Sequence, residues 1–220
     1  MISVQYFVFN DFMENTYVLW DETKECIIID PGCHVEQEQG DLRKFIEGNK
    51  LKPVQLLNTH CHIDHILGNK WVKDTYGISL SIHQKDLVVL HSAETISKMY
   101  GIYIEPSPEP DQFLEEGDKV SFGNSSLDIF FTPGHSPGSI SFYSEKDRFV
   151  IGGDVLFQSS IGRTDLPGGD YQTLMESIFN KLLVLPDEVI VYSGHGPSTT
   201  IGEERTNNPF VLEYAVEMKK

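Results

Sequence analysis

The sequence predicts an α/β protein, and three observations carry that prediction. Short runs rich in β-branched and aromatic residues, such as "SVQYFVFN", "NTYVLWD" and "ECIIID", are separated by polar breakers. Longer segments with helical patterning lie between other such runs and stop at glycine, as in "DHILGNKWVKDTYG". Several of the apolar runs end in a histidine or an aspartate beside glycine, a repeated polar ending that a packed core alone does not require.

Taken in order, residues 3–10, 15–21 and 25–30 read as strands, with "DFME" and "ETK" between them and "DPG" closing the third as a turn. A helix is expected near "GDLRKFIEGN", then a short strand, "PVQLLNTH", that delivers His60 at its carboxyl end. One helix is expected from Asp64 to Gly77, a strand over "ISLSIH", and a second helix over "QKDLVVLHSAETISKMYG". "IEPSPEPD" is too rich in proline to continue either element. It is read as a rim loop and not a linker, because the β-rich style resumes after it and neither flank looks complete alone. The strands "KVSFG", "SLDIFFTPGH", "SISFYSEK" and "RFVIGGDVLF" follow, then a helix over "YQTLMESIFNKLLVL", the strand "EVIVYSGHG" and a terminal helix. Both halves repeat a plan of strands, helix and a strand ending in a polar turn with histidine, as an internal duplication would. The expectation is a single domain over residues 1–220.

Composition narrows the function. A hydrophobic fraction of 40% with 23% charged residues is that of a globular protein with a sizeable core. The formal net charge of −16 argues against a nucleic-acid partner and against docking on an anionic membrane, since both rely on clustered lysine and arginine. The amino terminus lacks the basic start and unbroken apolar stretch of a signal peptide, and no apolar run is long enough to span a bilayer. Cys26, Cys33 and Cys61 are odd in number and lack framework spacing, which suits a reducing compartment. The expected location is cytoplasmic.

"NTHCHIDHILGN" places three histidines, an aspartate and a cysteine within His60–His65. His60 and His62, two apart on an extended segment, project to one side and can converge on one ion. Asp64 and His65 follow where the chain turns into a helix, so their side chains can aim beside the first pair. Asp64 also stands where an N-cap belongs, but a capping role leaves the histidines unexplained. His135 in "TPGHSPGS", Asp154 in "IGGDVLF" and His195 in "YSGHGP" share the strand-end, glycine-flanked setting. Each singly suits a turn or a solvated histidine; the set of five histidines and two aspartates points to metal ligation. His83 and His91 lack companions at ligand spacing and are read as non-ligands.

"THCHIDH", followed in order by "PGHSPGS", "GGDVLF" and "SGHGP", resembles the metallo-β-lactamase superfamily over nearly the whole chain. The resemblance implies a four-layer αββα sandwich with a metal cleft. It implies that His60, His62 and His135 hold one divalent ion, that Asp64, His65 and His195 hold a second, and that Asp154 bridges both. Zinc is the first expectation, with iron and manganese open. Two ions sharing a water bring its pKa towards about 7 and make hydroxide available to attack a carbonyl. Asp64 is then expected to orient that nucleophile or relay its proton, as the one catalytic side chain.

"GGDVLFQSSIGRTDLPGGDYQTLMESI" and "SGHGPSTTIGEERTNNPF" are similar to the compact glyoxalase II-like branch, whose members hydrolyse S-acylglutathione thioesters such as S-lactoylglutathione. The expected partner is a small-molecule thioester. Longer glyoxalase II enzymes carry a further helical domain with glutathione contacts for which residues 1–220 leave no room. Persulfide dioxygenases of the same superfamily, with one iron, share "THCHIDH" and "GRTD" and are the alternative; a non-catalytic metal-containing binding domain is another. A β-lactamase is disfavoured here by the missing export signal, and a ribonuclease by the acidity. Arg163 in "SIGRTD" is a candidate for a substrate carboxylate, with a loop ion pair to Asp165 as the competing reading. Arg205 is read as a brace for the terminal helix, and Cys61 as a small buried residue pointing away from the ions.

Overall fold

The computed structural model describes residues 1–218. It opens with the antiparallel strands β1 (Ser3–Phe9), β2 (Glu14–Trp20) and β3 (Glu25–Ile29). Helix α1 (Glu36–Gly48), strand β4 (Lys52–Leu57), the short helix α2 (Ile63–Ile66), α3 (Asn69–Tyr76) and β5 (Ser79–Ile82) follow. A single 3₁₀ turn leads into α4 (Leu87–Tyr100), after which β6 (Gln112–Phe113) completes a six-stranded sheet in the order β1-β2-β3-β4-β5-β6. From β3 onward neighbours in this sheet run parallel.

The second sheet holds β7 (Lys119–Phe122), β8 (Ser125–Phe131), β9 (Ile140–Ser144) and β10 (Phe149–Gly153), then, after the small hairpin β11 (Leu156–Phe157) and β12 (Ser160–Ile161) and helix α5 (Tyr171–Ser177), β13 (Ile190–Ser193) and β14 (Thr199–Thr200). Its order is β14-β13-β10-β9-β8-β7, antiparallel except for β10 beside β13. Helices α6 (Ile201–Asn207) and α7 (Pro209–Glu217) close the described chain. Each sheet thus begins as an antiparallel meander and then takes up a parallel strand, the repeat of plan read from the sequence.

The period of two along the central strands decides the layering. In β3, Cys26 and Ile28 pack towards Leu42, Ile46, Val72 and Leu90 of the helices, while Ile27 and Ile29 turn to the other face. There they meet Leu127, Ile129, Phe142 and Ile151 of the second sheet. On the far face of that sheet Val150 and Val191 pack with Leu174, Met175, Ile178 and Val211. Three apolar interfaces therefore separate four layers, helix, sheet, sheet and helix, in the αββα order. Strands covered on both faces need apolar residues at consecutive positions, which is why "CIII" does not alternate.

The structure corrects several expectations. The helix expected from Asp64 to Gly77 is two helices, broken at Leu67–Gly68, where the Gly68 amide leaves the helical ladder and donates to the Pro31 carbonyl at 2.7 Å. The N-cap of α2 is His62, so Asp64 lies inside its first turn and is not a cap. Helix α1 begins at Glu36, with Glu38 accepting from the His34 and Val35 amides. The strand expected to carry Asp154 ends at Gly153, leaving Asp154 in the turn before β11. Helix α5 loosens after Ser177 into a π turn, Ile178–Leu182. No helix among the described residues is long and apolar enough to cross a membrane.

Candidate metal centre

The polar strand ends meet at one edge of the two sheets. β4 ends at Leu57 and leads into Asn58–His65; β8 leads into the loop with His135; β10 leads to Asp154; β13 leads to His195. The edge is laced across the sheets. The Asn15 amide donates to the Gly194 carbonyl (2.7 Å), its side-chain amide to Ser193 and Gly196 (2.9 Å each), and Tyr17 to Ser193 (2.5 Å). Ile140 donates to the Thr59 carbonyl at 2.9 Å. Glycine is required where the turns touch: Gly153 has φ +53° against Thr59, and a side chain at Gly194 would collide with the Asp154 carboxylate and the His65 ring.

All seven residues singled out in the sequence lie together there. Ligand atoms of His60, His62 and His135 fall within 4.8 Å of one another, as do those of Asp64, His65 and His195. His62 Nδ1 and His135 Nε2 are 2.8 Å apart. Asp64 Oδ2 stands 3.1 Å from His195 Nε2 and 3.5 Å from His65 Nε2. Asp154 lies between the groups, with Oδ1 3.5 Å from His65 Nε2 and Oδ2 3.5 Å from both His135 Nε2 and His195 Nε2.

A buried polar atom without a partner costs free energy, so such atoms test what the cluster is built to hold. His60 Nε2, His65 Nε2 and Asp154 Oδ1 are buried with no hydrogen-bond partner in the protein, and all three point into the cluster. Neutral imidazole nitrogens and carboxylate oxygens suit a divalent ion, and the donor set fits two.

The opposite ring nitrogens are fixed by partners that the sequence reading missed. His65 Nδ1 lies 3.1 Å from Asp30 Oδ2, His60 Nδ1 3.1 Å from Thr59 Oγ1, His135 Nδ1 2.8 Å from the Arg163 carbonyl, and His195 Nδ1 3.1 Å from the Phe12 carbonyl. Such contacts leave the other ring nitrogen to face into the cluster. Asp30 also lies near His60 and His65, but its oxygens are already taken, by the Thr59 amide (2.7 Å), the Thr59 hydroxyl (2.5 Å) and His65. It acts as a brace. Asp30 shows the same signature as the ligands, a carboxylate ending the apolar run "IIID", and its φ of +50° sets it in the left-handed region. Asp86 is a second brace: it accepts from the Cys61 amide (2.5 Å), Ser136 Oγ (2.5 Å) and the Gly138 amide (2.7 Å), tying the two histidine loops together.

Electrostatics differ across the cluster. Burial and the neighbouring imidazoles push the His60 pKa well down, and the same causes bring His62 to about 4. Burial also opposes a charged His65, but Asp64 and Asp154 outweigh it and hold its pKa up. For His195, burial is outweighed by the Asp64 hydrogen bond and Asp154. Asp64 and Asp154 are lowered in return, despite burial, chiefly by His65.

The remaining candidates sort cleanly. Arg163 forms a two-pronged pair with Asp165, both contacts 2.7 Å. His83 accepts from the Lys85 amide and stacks on Phe131, and His91 pairs with Glu109 at 2.9 Å, so neither joins the cluster. Arg205 donates to the Leu183 and Leu185 carbonyls and pairs with Asp187, so it braces α6 against the turn before β13. Cys61 is buried outside the ligand groups, with its thiol pushed up by burial.

Residues 9–195 match the family model described as the metallo-β-lactamase superfamily. The chain is 41% identical to the probable metallo-hydrolase YqgX of Bacillus subtilis (strain 168), over 92% of this chain and 94% of that protein. It is 38% identical to the hydroxyacylglutathione hydrolase GloC of Haemophilus influenzae, over 91% and 93%. Among solved structures it is similar to the BLEG-1 B3 metallo-β-lactamase, with a TM-score of 0.86, 40% identity and coverage of 95% of this chain and 99% of that one. TTHA1623, solved in a di-iron-bound form, gives a TM-score of 0.84 at 34% identity, with coverage of 94% and 99%. The chain belongs to the metallo-β-lactamase superfamily. Its relatives include metallo-hydrolases, and its His/Asp clusters are of the kind with which this superfamily binds divalent metals.

Proposed function

We propose that the protein is a cytoplasmic, binuclear metal-dependent hydrolase of small-molecule thioesters, the class that includes S-lactoylglutathione. The observation that carries this reading is the pair of His/Asp groups that flank Asp154 and open, through Asp64, His135 and His195, into one large cavity. His60, His62 and His135 would hold the first ion and Asp64, His65 and His195 the second, with Asp154 available to both. Zinc is the first choice, with iron and manganese as alternatives. When bound, the ions supply Lewis acidity at the carbonyl and a water acidic enough to react at neutral pH.

The chain's own groups do the rest. Thioester hydrolysis breaks the C–S bond, forms a C–O bond to the oxygen of water, and passes one water proton to the departing thiolate. Asp64, with Oδ2 3.1 Å from His195 Nε2 and 3.5 Å from His65 Nε2, is placed to accept that proton from the attacking water. His135 and His195 are each oriented by a backbone carbonyl and so keep their shape through turnover. The similarity to GloC favours a thioester. The similarity to BLEG-1 makes the β-lactam amide a second reading.

The test is a panel of thioesters and β-lactams with metal-quantified protein. Thioester turnover that disappears with a chelator and returns with zinc is expected. Turnover of β-lactams alone would give the second reading, and oxygen uptake on a persulfide with one iron per chain would replace both.

A further inference from the structure

The cavity over the metal centre has a wall chemistry of its own. Its volume is about 910 Å³, large for a lactoyl group and at the upper end of small-molecule sites. Asp64, Asp154 and three of the histidines form its floor. Above them Val88, Ile96 and Tyr100 of α4 and Phe157, Ile161 and Leu166 of the carboxyl half line it. Val88 is 67% exposed and Tyr100 57% exposed, although both are large and apolar. Contiguous exposed apolar surface of this kind marks a binding surface. Phe12 joins wall to floor: its ring meets Tyr100 edge-on at 5.8 Å, and its carbonyl faces His195 Nδ1 at 3.1 Å.

Charge sharpens the choice. Among the described residues that line the cavity, Arg163 is the one lysine or arginine, and Asp165 occupies its guanidinium from both prongs. A carrier bearing carboxylates, such as glutathione, therefore finds no unpaired guanidinium or ammonium in this apolar wall to offset the desolvation of its charges. Neutral polar groups are present instead, in Ser92, Thr95, Gln158 and Ser160.

We infer that the site selects thioesters with an apolar acyl chain on an uncharged thiol carrier, the chain lying between α4 and the β11–β12 hairpin. The inference rests on the thioester reading above and specifies its substrate class. S-lactoylglutathione, with a short hydroxylated acyl group and an anionic carrier, is then a poor substrate.

The experiment measures kcat/KM for straight-chain acyl thioesters of N-acetylcysteamine, from acetyl to octanoyl, and for the same acyl groups on glutathione. Burying each added methylene is worth roughly three- to fourfold, so a rise of that size per carbon is expected until the cavity is filled. The neutral carrier should exceed glutathione by about tenfold for a given acyl group, the order expected for partly desolvating a charge with no partner. Val88→Lys, at an exposed position that tolerates the longer side chain, should lower the octanoyl rate more than the acetyl rate and narrow the gap to glutathione. Brisk turnover with a flat chain-length profile, or a preference for glutathione, overturns this inference and leaves the thioester reading intact. No turnover at all overturns the thioester reading; calorimetry with the matching thioethers then decides the pocket, where affinity rising with chain length supports the inference and chain-independent binding or none sinks it.

Discussion

The two ligand groups sit side by side and solve the burial of polar atoms in opposite ways. His60, His62 and His135 contain no carboxylate. Burial and repulsion from the neighbouring imidazoles keep His60 and His62 neutral. Asp64, His65 and His195 carry their own carboxylate beside the shared Asp154, and the rings hold protons in ion pairs. In the first group His60 and His62 are neutral donors ready for a cation; the second is a self-paired cluster in which a cation must displace protons. Asp154, facing both, is the one residue whose loss should reach both groups at once.

That gives the largest expected effect. Asp154→Ala should take metal content from near two per chain towards zero and lower kcat/KM by at least about a thousandfold, measured by elemental analysis and thioester turnover. Unaltered metal content in that variant would mean that Asp154 bridges nothing. Next in size are the single-group variants. His62→Ala should lose the ion of the first group and His65→Ala that of the second, each leaving about one ion and lowering turnover by about a hundredfold or more. Equal loss of both ions from either variant would merge the two groups into one cooperative site and end the comparison.

The sequence made much of this legible, and the reasons for the rest are physical. The candidate ligands were readable because costly polar groups follow the ends of apolar runs, a local pattern. The four layers followed from the resemblance, not from periodicity, since "CIII" and "FVIGG" are buried on both faces and give no alternation. Non-local contacts stayed hidden. The break at Gly68 depends on the Pro31 carbonyl, and the bracing role of Asp30 depends on β3 lying beside β4, where the Asp30 amide donates to the Leu57 carbonyl at 2.9 Å. "IIIDPG" carried a signal equal to that of the ligands, but it also reads as an ordinary turn. The strands β6, β11 and β12, two residues each, are too short to leave any pattern.

Asp30 sharpens the comparison at the level of the braces. The second group's His65 is oriented by a carboxylate, whereas the first group's His60 and His135 are oriented by a hydroxyl and a carbonyl. Asp30→Ala should therefore weaken the second ion about ten- to a hundredfold, the usual cost of removing such a partner, and leave the first ion nearly in place. Competition with a chromophoric chelator reads the two affinities. A larger loss at the first ion would mean that Asp30 acts through Thr59 on His60 instead.

The smallest effect is the order in which acid strips the ions. A histidine must be neutral to ligate, so a proton competes with the ion wherever the pH lies below that histidine's pKa in the ion-free fold. For His62 that pKa is about 4, down from 6.5, so between pH 6.5 and 4 its ring stays available and acid hardly competes. His195 is shifted the other way: its pKa lies above 6.5, so protons already compete near neutrality and gain as pH falls. His65, held up by Asp64 and Asp154, adds to this. The second group's ion should leave first on acidification, with a release midpoint about one pH unit or more above that of the first, followed by metal analysis after rapid gel filtration across pH 7 to 4. His195→Ala should remove the earlier step and His62→Ala the later one. Release of both ions at a single midpoint would show that the carboxylates' attraction for the cation matches their attraction for the proton, and that the two groups are unlike in composition but equal in charge.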